Sequence, residues 1–218
     1  MRKVLLLLLL MNVLAVKGQN VVIKFTSNGQ IAVDSSYIEP FSQGLGLDFY
    51  QNLDPSILKD EMEVTTPSGG VYTVKALRFK GWENETGDFN VVEIYKGGNK
   101  IYDMTSIDGF GYFPMKFTDE SKPQCCYPIN VGDETIALVF HGIYINNEPP
   151  QISIVVLHDT QAKLVFNQSF RIKDLKKDNE DVKLVLQENL IQYYQDGKPI
   201  GKPILKTLTI SKDGISLY

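Results

Sequence analysis

The feature that most constrains the fold is a period-two alternation of apolar and polar residues. The clearest runs lie at residues 77–80, 92–94, 183–187 and 207–211. In the first run, Leu77 and Phe79 alternate with Arg78 and Lys80. Because successive side chains of a β-strand point to opposite faces, each run predicts a strand with one face toward a core. Helical periodicity is almost absent from the chain.

Turn signals separate these runs. Five dipeptides tolerate the positive φ angles of tight hairpins, and they are Asn28-Gly29, Gly97-Gly98, Asp108-Gly109, Asp196-Gly197 and Asp213-Gly214. The sequence therefore predicts an all-β fold. We expect an antiparallel β-sandwich, with a closed barrel and a small propeller-like arrangement as the alternatives.

The strongest apolar block covers residues 135–145 and 151–158. We expect these two runs to form the central hairpin of the fold. An irregular stretch at 107–131, rich in glycine, proline and aromatic residues, predicts a division between two sub-lobes. Before the first clear strand, Asp54 and Pro55 have the cap and first-turn character of a short helix.

The N-terminus has the character of a signal peptide. Arg2 and Lys3 precede an apolar run at 4–11 that continues at 13–16. A membrane span needs about 20 apolar residues, so this run is too short, and an uncleaved anchor helix is the minor alternative. We predict a signal peptide at 1–18 and a single all-β domain at 19–218 without a membrane span. The mature chain is then exported to the periplasm, the cell surface or the extracellular space.

The charge balance disfavours a nucleic-acid partner. The full chain has a formal net charge of −4, and removal of Arg2, Lys3 and Lys17 with the leader brings it to about −7. The densest basic stretch, residues 173–177, is followed at once by acidic residues. Nucleic-acid binding would require a basic patch that the sequence does not contain.

The two histidines are candidates for catalysis or metal binding. If Ile145 pairs with Gln151 in the central hairpin, then Leu138 pairs with His158, and His141 points to the opposite face. Two ligands on opposite faces of one sheet cannot hold one metal ion. We therefore predict structural histidines, no metal site and no cofactor.

Catalytic signatures are missing from the sequence. It contains no Gly-x-Ser-x-Gly elbow and no His-Glu-x-x-His motif. Neighbouring carboxylates are plentiful at Glu61 and Glu63, Glu83 and Glu85, Asp119 and Glu120, and Asp133 and Glu134. In a chain this acidic such pairs arise by chance, so they support glycan hydrolysis weakly.

Aromatic residues on loops are more informative, because flat side chains often form binding platforms on β proteins. Trp82, the only tryptophan, lies in a polar segment bracketed by two glycines. A second aromatic group extends from residue 110 to residue 127. The candidate ligand-binding residues are Trp82, Asn84, Asp88, Tyr112 and Tyr127. Packing against the core is the alternative for each ring.

Cys125 and Cys126 are adjacent in the sequence. They form either a strained vicinal disulfide, which is easily reduced, or two free buried thiols, and the sequence leaves both forms open. Taken together, the loop aromatics and the missing catalytic motifs favour an exported, non-catalytic binding protein for an unknown glycan or protein. The alternative is a secreted glycan hydrolase that uses an Asp/Glu pair.

Overall fold

The computed structural model describes residues 20–25, 31–41, 52–83, 85, 87–118, 121–143, 149–178, 181–188, 192–193 and 199–218. Strand accounts for 66% of the structure and helix for 4%, so the all-β prediction is confirmed. The predicted signal peptide at 1–18 lies outside the described residues. In the described part of the chain, no helix has the length and apolarity needed to cross a membrane.

The strands are short and nearly all pair with antiparallel neighbours. In chain order they are β1 (Asn20–Phe25), β2 (Ile31–Val33), β3 (Ile57–Thr65), β4 (Val71–Arg78), β5 (Phe89–Lys96), β6 (Asn99–Gly111), β7 (Tyr127–Gly132), β8 (Thr135–Gly142), β9 (Gln151–His158), β10 (Gln161–Ser169), β11 (Arg171–Asp178), β12 (Asp181–Gln187), β13 (Gln192–Tyr193), β14 (Pro199–Ile200), β15 (Leu205–Ser211) and β16 (Gly214–Leu217). Short 3-10 helices cover Ser35–Tyr37 and Met115–Phe117.

Two large sheets pack together as a β-sandwich. The six-stranded sheet has the order β11-β12-β15-β16-β1-β2, and the eight-stranded sheet has the order β10-β9-β8-β6-β5-β4-β3, with β7 paired to β8. In the part of the chain that the structure describes, neither sheet closes into a barrel. The predicted sandwich is therefore confirmed.

The first core lies between the two sheets. One face of β8 and β9 contributes Ala137, Val139 and Ile154, and the six-stranded sheet contributes Leu184 and Leu208, all of them fully buried. Burial of one such leucine stabilises the fold by about 2 kcal/mol. The sheet-to-sheet contact is thus the main source of stability on this side of the hairpin.

A second core lies on the opposite face of the same hairpin. Leu138 and Phe140 of β8 pack in one cluster with Val74, Val92 and Ile94 of β4 and β5. Because both faces of β8 and β9 are buried, these strands need nearly continuous apolar sequence. This arrangement explains the strong apolar block and confirms the central hairpin.

The register of the hairpin differs from the prediction. Thr135, not Leu138, pairs with His158, a shift of three residues that reverses the face of His158. The predicted strand continued to Ile145, whereas β8 ends at Gly142, which pairs with Phe110 of β6. Residues 144 and 145 of the predicted strand lie outside the described residues.

The short helix predicted at Asp54 is also wrong. Strand β3 begins at Ile57, which pairs with Arg78 of β4, and the Asp54 backbone oxygen accepts a hydrogen bond from the Lys80 amide at 2.8 Å. Strand pairing with β4 thus overrides the local capping signal.

The irregular stretch at 107–131 contributes to both cores. Phe110 and Cys125 belong to the second cluster, and Phe113 and Ile129 belong to the first. This stretch therefore links the two cores, and its role as a division between sub-lobes stays a prediction.

Candidate functional site

A buried arginine holds the loop that contains the only tryptophan. Arg78, the last residue of β4, is 5% exposed. Its Nε donates a hydrogen bond to the backbone oxygen of Trp82 at 2.5 Å, and its two Nη atoms donate to the oxygens of Glu85 and Gly87, each at 2.7 Å. A guanidinium offers five N–H donors in a fixed plane. Arg78 therefore holds the Trp82 loop, which we define as the described residues 81–83, 85, 87 and 88.

The end of the Trp82 loop is fixed against β6. The Asp88 amide donates to the Phe110 oxygen at 2.8 Å, and the Asp88 carboxylate accepts from the Tyr112 amide at 3.2 Å. Gly87 has a φ of +78°, and a Cβ at this position would lie 2.8 Å from the Gly109 Cα. Only glycine fits both the backbone angle and this close approach.

Two aromatic rings lie partly in the core and partly at the surface. Trp82 is half-buried and packs edge-on against Phe79, with ring centroids 5.5 Å apart. Tyr112 is half-buried and packs edge-on against Phe89 at 5.8 Å. The Tyr112 hydroxyl donates to the Lys59 backbone oxygen at 3.4 Å. Both rings are thus held by packing and still have accessible surface.

Exposed carboxylates follow Trp82 in its loop. Glu83, Glu85 and Asp88 are all exposed. Burial raises the pKa of Tyr112, and the neighbouring Asp60 and Asp88 carboxylates raise it further. We call Trp82, Glu83, Glu85, Asp88 and Tyr112 the Trp82 edge. The Trp82 edge combines flat apolar surface with hydrogen-bond acceptors, which suits a ligand rich in hydroxyl groups.

The remaining ring predicted for the site lies elsewhere. Tyr127 is 6% exposed and stacks on Phe113 with centroids 5.2 Å apart, inside the core between the sheets. The Lys177 ammonium lies 5.8 Å from its ring centroid. The structure therefore assigns Tyr127 to the core, whereas the Asp88 carboxylate contacts the Tyr112 backbone and Trp82 lies in the same loop as Asp88. Asn84 lies outside the described residues.

The vicinal cysteines are both free thiols and both fully buried. A hydrogen bond with Cys125 and, next in size, burial raise the pKa of the Cys126 thiol well above its usual value. The Cys126 sulfur lies 3.5 Å from the sulfur of Met62 in β3. The vicinal disulfide stays a prediction for the oxidised protein.

Arg78 is the residue of the site that the sequence pattern concealed. The alternation at 77–80 suggested that Leu77 faces the core and Arg78 faces solvent. In the structure Arg78 is on the buried face of β4 with Val74 and Ala76, and Leu77 is half-buried. The hydrogen-bond partners of Arg78 are backbone oxygens, which every sequence contains, so no motif could reveal them.

No sequence pattern predicted the polar cleft of about 290 Å³ at the ends of the hairpins. Lys96 forms an ion pair with Asp159 at 2.7 Å, and the Tyr72 hydroxyl donates to the Asp159 backbone oxygen at 2.7 Å. The hydrogen bond from Lys96 lowers the pKa of the Asp159 carboxyl. These contacts join β4, β5 and the turn after β9, so they explain the cleft as a structural network.

The two histidines lie on the same face of the central hairpin, contrary to the prediction. Thr135 and His158 form a side-chain hydrogen bond at 2.9 Å, and His141 is six residues from Thr135 along β8. At about 3.3 Å per residue the two rings are roughly 20 Å apart. Among the described residues, no group of three or more His, Cys, Asp or Glu side chains is placed to hold a metal ion.

Comparisons with known proteins give no relative. No family model, no curated protein and no solved structure matches this chain. The functional inference therefore depends on the chemistry of the Trp82 edge.

Proposed function

We propose that this chain is an exported, non-catalytic binding protein and that the Trp82 edge contacts a neutral glycan. The observation that carries the proposal is the set of hydrogen bonds from buried Arg78 to the backbone oxygens of the Trp82 loop. They hold a partly exposed indole beside exposed carboxylates before any ligand arrives.

The Arg78 hydrogen bonds matter because they preorganise the Trp82 loop for binding. Ordering a loop at the moment of binding costs free energy that would otherwise appear as affinity. Each hydrogen bond from a charged donor contributes about 1.5 to 3 kcal/mol to the folded state. Because Arg78 makes several such bonds to one loop, the loop conformation is stabilised by folding and the ligand need not order it.

The chemistry of the edge favours a glycan over a protein. One face of a sugar ring is apolar and stacks on an indole, while its hydroxyls donate to carboxylates. The central part of a protein interface is depleted of Asp and Glu, whereas Glu83, Glu85 and Asp88 are all exposed here. These carboxylates repel acidic sugars, so we expect neutral ones.

Isothermal titration calorimetry of the protein against a panel of neutral oligosaccharides tests the proposal. We expect saturable binding, weakened by about 2 kcal/mol, or roughly thirtyfold in Kd, in Trp82→Ala. The matched control is Tyr218→Ala, which removes an aromatic ring that is 53% exposed at the other end of the chain. Equal affinities in the two variants would contradict the proposal. The glycan should be recovered intact, since shortened products would indicate a hydrolase.

A further inference from the structure

Three sulfur-containing residues lie where β3 approaches the segment before β7. Cys125 and Cys126 are adjacent in the chain and both are fully buried in the second core. The sulfur of Met62, on the inward face of β3, lies 3.5 Å from the Cys126 sulfur. Packing in the second core thus brings a thioether from β3 next to a thiol from the segment before β7.

We propose that Cys125, Cys126 and Met62 form a binding site for Cu(I). Thiolate and thioether ligands are soft, and they select Cu(I) over harder ions. Two cysteines adjacent in sequence supply two sulfurs from one point of the backbone, and Met62 supplies the third from β3. Zn(II) sites use Cys, His and carboxylate ligands, so the thioether distinguishes Cu(I) from Zn(II).

A cleft reaches Met62 and the residue that precedes the two cysteines. Its volume is about 280 Å³, and its lining includes Met62 together with Gln124, which directly precedes Cys125. Asp60, Glu61 and Glu63 also line it. A cleft with negative walls raises the local concentration of cations. Met62 therefore connects an acidic entrance to the buried thiols.

The binding step exchanges protons for metal. One Cu(I) ion binds two thiolate sulfurs and one thioether sulfur, and the two S–H protons leave to water. Copper stays in the Cu(I) state and no electrons move. The complex has one net negative charge, and Lys122 is the basic residue in the lining of the adjacent cleft.

Competition with a chromophoric Cu(I) chelator, under nitrogen and with the protein fully reduced, tests the site. We expect the wild type to take up one equivalent of Cu(I). Met62→Leu, which conserves side-chain volume, should weaken binding at least about tenfold, the lower limit of what losing even an outer-shell partner costs. Cys126→Ala should abolish it. Met115→Leu is the control, because Met115 is 49% exposed on the second 3-10 helix.

Two results would overturn the assignment. One is failure of the reduced wild type to compete with the chelator, and the other is equal affinity in Met62→Leu and Met115→Leu. X-ray absorption at the copper edge gives a readout that does not depend on variants. The assignment predicts a first shell of sulfur alone, whereas nitrogen or oxygen ligands would contradict it. These measurements are independent of glycan binding at the Trp82 edge.

Discussion

Arg78 donates its Nε hydrogen to the backbone oxygen of Trp82 at 2.5 Å, so the last residue of β4 positions the only tryptophan of the chain. This contact links the sandwich core to the surface that we propose binds a ligand. Arg78 is buried among the core residues of β4 and uses its remaining donors on the same loop. Arg78 thus makes a large contribution to the rigidity of the Trp82 edge, beside the contacts of Asp88 with β6 and Tyr112.

Arg78→Met tests this dependence. The substitution keeps an apolar stem and removes every donor, so backbone oxygens near Trp82 and Gly87 lose their partner. We expect a loss of about 3 kcal/mol in the free energy of unfolding, measured by urea denaturation. The control is Lys80→Met, at an exposed position two residues away, which should change stability by no more than about 0.5 kcal/mol. Similar midpoints for both variants would show that the hydrogen bonds contribute little.

Gly87→Ala tests the close approach between the Trp82 loop and β6. Gly87 and Gly98 have φ angles of +78° and +81°, so alanine at either position has the same backbone strain. That strain costs about 1 kcal/mol. A Cβ at Gly87 would also meet the Gly109 backbone at 2.8 Å, whereas a Cβ at Gly98 has nothing within 4 Å. We therefore expect Gly87→Ala to lower the melting temperature clearly more than Gly98→Ala. Equal shifts would contradict the observed packing.

Burial of β8 on both faces predicts that truncating either of two neighbouring residues destabilises the protein. Leu138 packs in the second core and Val139 in the first, and both are fully buried. Leu138→Ala should cost about 2 to 5 kcal/mol of unfolding free energy, and Val139→Ala somewhat less because fewer atoms are removed. Leu58→Ala is the control, since Leu58 is 52% exposed. If either core substitution left the unfolding free energy nearly unchanged, the corresponding face of β8 would be exposed to solvent.

His141 should make stability depend on pH. Burial, and then the Arg171 charge, lower the pKa of His141 below its usual value of 6.5. The unfolded state then binds more protons below about pH 6.5, so stability falls as pH decreases from there toward the folded-state pKa. The slope reaches at most about 1.4 kcal/mol per pH unit. In His141→Gln, denaturation midpoints between pH 7.0 and 5.5 should show a smaller slope. If the slope were unchanged in this variant, groups other than His141 would cause the pH dependence of stability.

The sequence predicted the elements of the fold better than their register. Alternation and turn dipeptides indicated strands, and the apolar runs at 135–145 and 151–158 indicated the central hairpin. Strand β8 pairs with β9 and also, through Gly142 and Phe110, with β6. Its register must therefore satisfy both neighbours. Such a constraint from a third strand cannot be inferred from the two apolar runs alone.

The candidate site was predicted in part for a similar reason. Trp82, Asp88 and Tyr112 were identifiable because they lie in loops with turn chemistry. Arg78 was not, because a charged residue in an alternating strand is usually exposed and its actual partners are backbone atoms. The contact between Met62 and Cys126 joins residues 64 positions apart, and only the folded chain brings them together.

Tryptophan fluorescence tests the central claim most directly, because Trp82 is the only indole in the chain. Acrylamide is the suitable quencher, since it is uncharged and the neighbouring carboxylates do not repel it. If the Trp82 edge binds a neutral glycan, we expect the emission of a partly exposed indole and quenching by acrylamide. A neutral oligosaccharide should then change the emission saturably and protect Trp82 from the quencher. Emission that acrylamide cannot quench and that stays unchanged across the whole glycan panel would contradict the proposal.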